Sequence, residues 1–237
     1  MRRLMLLPVL VLLLAGLATV PGVPSAQAAA SARTPAADVA TFASLVPART
    51  SQVVRTISST RWCRKIYCTV TQAWQKDTTG TWQLVREFRS VIAPKGWGKK
   101  REGDMHSPVG VFDISITFTT SKRVGSMPWK RRKATSAVPT SGANYNSWVE
   151  IPGRTSGDRP SMRYGFVVDY NNFRVHPGRG AKPVAGKGSG IFYHTSPSAG
   201  RAWKPTEGCT QLGVPSQMRW ILRWLKPSAS PRVVQQL

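Results

Sequence analysis

The stretch IFYHTSPSAGRAWKPTEGCTQLGVP, Ile191–Pro215, carries one of three histidines and the only cysteine far from the other two. GIFYH alternates as a strand does and ends on His194, so a rigid element aims that side chain outward. A polar loop follows, and then Thr206, Glu207, Gly208 and Cys209. Gly208 has no Cβ, so a reacting carbonyl can approach the backbone closely, and N–H groups here can face an oxyanion. A thiol of ordinary pKa, about 8.5, is only a few per cent ionised at pH 7. An imidazole that takes its proton is expected to lower that value to about 6 and leave roughly nine tenths as thiolate. The combination suits acyl transfer through a thioester.

Charge and export narrow the setting. Against 34 Lys and Arg stand 10 Asp and Glu. Such a surface attracts polyanions: nucleic acid, anionic lipid or acidic wall polymers. Arg2-Arg3, the apolar run Leu4–Val20 and Ala26-Gln27-Ala28 read as a signal peptide over residues 1–28, cleaved near Ala28. If it is not cleaved, it is a membrane contact through the N-terminal segment. Removing Arg2 and Arg3 leaves 32 basic residues, so the excess persists. Export disfavours nucleic acid as a partner and favours anionic cell-wall polymers, with a secreted, wall-associated location.

In an oxidising compartment Cys63 and Cys68, five apart in CRKIYC, are expected to pair, which leaves Cys209 free. The bland reading of Cys209 is a small buried hydrophobe. His106 in GDMHSPVG and His176 in FRVHPGRG read as loop residues. A Cys-His-His zinc site is poorly supported by the spacing, and carboxylates are too scarce for a two-carboxylate glycosidase.

Along the chain, residues 29–50 are rich in Ala, Ser, Thr and Pro and read as a flexible linker ahead of a domain over 51–237. YCTVTQAWQKDTTGTWQLVREFRSVIA predicts a hairpin that turns at DTTG. PVGVFDISITFT, SWVEIPG, YGFVVDYNN and SGIFYHTS predict further strands, mostly antiparallel. SQMRWILRWLK repeats its apolar residues at helical spacing, with Ser216 as the expected cap and Pro227 limiting the end. Arg219 and Arg223 fall on its outer side, and Trp220 and Trp224, four apart, are expected to pack against the sheet or, as the less favoured alternative, against a ligand. KRRK at 130–133 reads as a solvated charge cluster.

Two ordered segments now carry a resemblance. SGIFYHTSPSAGRAWKPTEGCTQLGVP resembles the catalytic signature of the L,D-transpeptidase (YkuD-like) family: a histidine at a strand end, then Ser or Thr, a variable residue, Gly and Cys. GKKREGDMHSPVGVF, Gly98–Phe112, is similar to the family's Gly-Asp-x-x-Thr-Pro-x-Gly-x-Phe strand entry. Together the matches cover roughly residues 85–225, and the Ala-, Arg- and Trp-rich composition resembles the actinobacterial branch. The resemblance implies a mostly β fold, a sandwich or barrel with short helices, one of them near the C-terminus. It implies that Cys209 attacks the third residue of a peptidoglycan stem tetrapeptide, releases D-Ala, and passes the acyl group to a neighbouring stem in a 3-3 crosslink. His194 would be general base and then acid, and no metal or organic cofactor would be needed. Gly208, Thr206, Tyr193 and Gln211 would serve the oxyanion or the substrate.

Three positions depart from the family pattern: Glu207 where His is common, Gln211 where Arg or Asn is usual, and Ser107 in place of Thr. A neutral amide at 211 cannot pair a carboxylate as arginine does. The alternatives are an L,D-carboxypeptidase with water as acceptor, a non-catalytic basic wall-binding protein, and a secreted polyanion binder unrelated to the wall.

Overall fold

The computed structural model describes residues 35–236 of the chain. Among them are eleven strands: β1 (Gln52–Ser58), β2 (Cys68–Lys76), β3 (Trp82–Val91), β4 (Gly110–Thr119), β5 (Trp129–Arg131), β6 (Ser136–Ala137), β7 (Val149–Glu150), β8 (Tyr164–Val168), β9 (Phe192–Thr195), β10 (Thr210–Leu212) and β11 (Arg232–Gln235). Two α-helices accompany them, α1 (Pro35–Ala40) and α2 (Pro215–Trp224). The sheet runs β11-β1-β2-β3-β10-β9-β8-β4-β5, and β11 also pairs with β4. Eight strands therefore close into a ring, with β5 appended to β4 and β6–β7 forming a separate short ladder. Closure removes the open edges that a flat sheet would expose.

The expected hairpin is β2–β3, with Lys76 opposite Trp82. The Asp77 carboxylate accepts N–H bonds from Thr79 and Thr81 at 2.9 and 3.0 Å and fixes the turn. Strand alternation then sorts side chains to two faces. Val54, Phe88, Phe166, Tyr193 and Leu212 share the main core with Met218, Ile221, Leu222 and Leu225, which α2 and its end contribute. A bulge in β4 between Ile114 and Thr117 interrupts its register. It puts Ile114 in that core and Ile116 and Phe118 in a second cluster, with Trp148, Val167, Phe173 and Phe192.

Helix α2 matches the expected position but starts differently. Val214 is its N-cap, without a side-chain cap, and Pro215 opens the first turn. Ser216 therefore lies inside the helix. Proline suits this place because its missing N–H would have no helical partner. Arg219 and Arg223 are exposed, and Trp220 and Trp224 stack with centroids 5.7 Å apart, Trp220 also meeting Phe88.

Of the span read as a linker, 29–50, residues 35–50 are described. Helix α1 lies there, Phe42 and Val46 are buried, and they join Val53, Trp74 and Val234 in a third cluster. A buried ion pair ties the segment to β1: Arg55 Nη1 lies 2.8 Å from Asp38 Oδ1, and the same guanidinium donates to Thr41 Oγ1 at 2.7 Å and Gln72 Oε1 at 3.2 Å. The signal peptide expected at 1–28 lies outside the described residues. Among those described, no helix is long and apolar enough to cross a membrane. A disulfide joins Cys63 and Cys68, with Cα atoms 5.9 Å apart, and Cys209 is free.

Candidate active site

Strands β9 and β10 run parallel, with Thr210 opposite Tyr193 and Gln211 opposite His194. Cys209 immediately precedes β10. Its sulfur meets Phe192, whose N–H donates to Sγ at 3.4 Å, and the thiol donates to Gly190 O at 3.4 Å. Phe192 and His194 are two apart in β9 and share a face. Cys209 packs in the second cluster with Phe192, so thiol and imidazole stand on the outer face of one ladder. Tyr193 points the other way. It is fully buried in the main core, with its hydroxyl 2.7 Å from Thr56 Oγ1. It braces the strand from behind and is not placed to touch a substrate at the thiol.

His194 is buried, and its Nδ1 lies 2.8 Å from the Thr195 carbonyl. A carbonyl can only accept, so Nδ1 carries the proton and Nε2 keeps the lone pair of a general base. Burial pulls the imidazole down to about 4. The Thr195 bond opposes this, and the nearby Arg132 and Arg159 charges reinforce it. Burial likewise pushes the Cys209 thiol up to about 11, partly offset by the Phe192 N–H and by the Lys99 and Arg132 charges. Both shifts run opposite to the ion pair expected from the spacing. The resting pair is a neutral thiol and a neutral imidazole, because desolvation of the charged forms outweighs their neighbours.

The cysteine loop is held from two sides. Thr206 Oγ1 donates to the Cys209 carbonyl at 2.5 Å, and Gly208 N–H reaches Thr206 Oγ1 at 3.3 Å. Gly208 has φ +153°, and a Cβ there would meet Ile191 Cδ1 at 3.1 Å and the His106 carbonyl at 3.3 Å. From the upstream motif, Ser107 Oγ donates to the Gly208 carbonyl at 2.8 Å. Asp104 organises that motif. Burial alone would raise its carboxyl, but N–H bonds from Lys100, Arg101 and His106 and the Lys99 ammonium, 3.2 Å away, hold it well below the ordinary range. His106 thus borders the cysteine loop through its backbone, whereas His176 is exposed elsewhere. Glu207 is exposed.

Gln211 is committed to structure. Its Nε2 donates to the carbonyls of Arg201 and Ala202 at 3.0 and 3.1 Å, which pins the β9–β10 connection. It lies opposite His194 in the ladder and so shares that face of the sheet, with its amide N–H groups engaged by the connection. The residue missed in the sequence is Arg132, within KRRK. It is buried rather than solvated, with its guanidinium 5.0 Å from the Trp148 ring, 5.5 Å from Phe192 and 5.6 Å from Phe118. A basic run carries no mark of burial. The only available signal was its place between short strands.

Among the described residues no group of three His, Cys, Asp or Glu side chains converges as metal ligands would. A groove of about 420 Å³ lies on α2, lined by Arg86, Phe88, Arg219, Trp220 and Arg223, away from the thiol. Comparison with known families matches the model of the L,D-transpeptidase catalytic domain, YkuD, over residues 68–234. The chain belongs to that family. No curated protein sequence matches it. Membership makes this an L,D-transpeptidase-type enzyme domain acting, in the family's terms, on peptidoglycan peptides. The matched span contains the cysteine loop, β9 and the upstream Ser107 tether.

Proposed function

We propose that the protein is an extracytoplasmic cysteine acyltransferase that forms 3-3 crosslinks between peptidoglycan stem tetrapeptides. The observation that carries this reading is the His194 tautomer. A base with its lone pair on Nε2 stands on the strand paired in parallel with the one that follows Cys209.

As Cys209 Sγ bonds to the carbonyl carbon of the third stem residue, its proton passes to His194 Nε2. N–H groups of the Gly208–Cys209 turn take the developing oxyanion, an arrangement whose loss typically costs a few kcal/mol of barrier, about 3. The C–N bond to D-Ala then breaks, and the imidazolium protonates the leaving amine. An amine of a second stem attacks the thioester, gives a proton to His194 and frees the thiolate, which takes that proton back. Because the resting pair is neutral, proton transfer accompanies attack rather than preceding it. The Cys63–Cys68 bridge fits an oxidising compartment. The +24 charge, together with the Arg- and Trp-lined groove on α2, supports association with anionic wall polymers.

The test is mass analysis of products from a purified disaccharide-tetrapeptide. Wild type should give a crosslinked dimer and free D-Ala, and Cys209→Ala neither. D-Ala release without dimer would assign water as acceptor. Equal dimer formation by Cys209→Ala would end the enzymatic reading, as would no turnover by wild type.

A further inference from the structure

Resting on that reading, we propose that Arg132, flanked by Arg154 and Arg159, is the subsite for the terminal carboxylate of the acyl-donor peptide. Arg132 takes over the pairing that Gln211 cannot provide. Arg132 is 4% exposed, and no ion pair among the described residues includes it. Its Nε donates to the Gly157 carbonyl at 2.6 Å, but its buried Nη1 has no hydrogen-bond partner. A buried guanidinium with an unmet N–H is costly unless an anion completes it.

The surroundings add to that imbalance. Burial lowers the affinity of Arg132 for its proton, and the like charges of Arg159 and Arg154 lower it further. The acid that acts on it within the protein, Glu150, accepts bonds from Thr135, Ser136 and the Trp148 indole instead. Arg154 Nε is also buried without a partner. Three guanidinium groups thus influence one place, and the charge of Arg132 is felt by both Cys209 and His194. Phe192 links them in space: its ring lies 5.5 Å from the Arg132 guanidinium, and its N–H donates to Cys209 Sγ at 3.4 Å.

The local backbone holds this arrangement in place. Gly157 N–H donates to Ala134 O at 2.7 Å, and a Cβ on Gly157 would lie only 2.4 Å from the Lys133 and Ser136 carbonyls. Gly157 can therefore sit against the turn that bears Arg132 and carry Arg154 and Arg159 with it. The terminal carboxylate of the leaving D-Ala lies one residue beyond the scissile carbonyl, so it falls next to the thiol. A planar fork framed by aromatic faces suits that group in geometry and charge.

The experiment compares two tetrapeptide donors, identical except that one ends in a free carboxylate and the other in a carboxamide. Wild type should prefer the acid by about tenfold or more in kcat/KM, as a charge-assisted pair implies. In R132M that ratio should fall towards one. R132K should restore part of it, and calorimetry on Cys209→Ala protein should show the same preference in binding. Equal use of both donors by wild type would overturn the subsite and leave the acyltransferase intact, whereas no reaction with either donor would indict the proposed function itself. An equal loss on both donors in R132M would make Arg132 a structural or electrostatic support and also overturn the subsite. Should R132M fail to fold, R154Q and R159Q decide. Each should lower the acid-to-amide ratio, and an unchanged ratio in both would sink the proposal.

Discussion

Two buried arginines sit on the outside of the same barrel, and their surroundings differ. Arg55, on β1, meets Asp38, Thr41 and Gln72, all supplied by its own chain. Arg132, beside β5, meets three aromatic rings, one carbonyl and two repelling arginines. The first guanidinium has a buried carboxylate as its partner and fastens the α1 segment to the sheet. The second is dehydrated and has no ion pair among the described residues. An anion supplied by the fold marks a cation that holds the fold together; its lack marks, on our proposal, one that awaits a ligand.

The sharpest way to break the contrast is to make Arg55 incomplete. D38A strips a buried cation of its anion, and urea unfolding should show a loss of about 3–5 kcal/mol, with the specific activity of the folded fraction retained. A loss below about 1 kcal/mol would mean that Arg55 is no better satisfied than Arg132.

The next effect in size comes from pH, through the buried imidazole of His194. His194 is neutral when folded, with its pKa depressed from 6.5 to about 4. The stability this reflects is complete above pH 6.5 and is lost as pH falls from 6.5 to 4, about 3 kcal/mol in all. Unfolding free energies measured across that window should fall accordingly, and H194Q should flatten the slope. The acid limb of kcat/KM should likewise lie near pH 4, and a limb near 6.5 would show that substrate-free burial does not set the base.

The smallest stability change belongs to Arg132. R132M removes three ring contacts but also an uncompensated buried charge, so the unfolding free energy should move by no more than about 1 kcal/mol. A loss as large as that of D38A would place the two arginines in one class. At the thiol, alkylation of resting Cys209 at pH 7 should be slow relative to a free cysteine, since its pKa is pushed up to about 11. Fast alkylation would restore the preformed ion pair.

Much of this molecule was readable before its structure. The β2–β3 hairpin, β4, β8, β9 and α2 announce themselves through alternation or helical spacing with turn residues between them. Cys209 and His194 were legible because a strand end and a glycine-cysteine step are local features. Strand β1 was not, because Gln52, Arg55 and Thr56 are polar residues buried on both faces, and β10 and β11 are too short to show a period. The α1 segment looked like linker because Phe42 and Val46 lie in a short stretch of Ala, Ser, Thr and Pro without periodicity, and their partners Val53, Trp74 and Val234 come from strands elsewhere in the chain. At the site, the direction of both pKa shifts and the roles of Tyr193, Gln211 and Arg132 depend on which face a side chain takes and what covers it. Those are properties of the closed barrel, not of any window of residues.

Strand β11 lies between β1 and β4, so residues 232–235 complete the ring that residues 52–58 begin. Every other stave is synthesised before it. A nascent chain therefore lacks one stave, and its ring cannot seal, until residues 232–235 have been made.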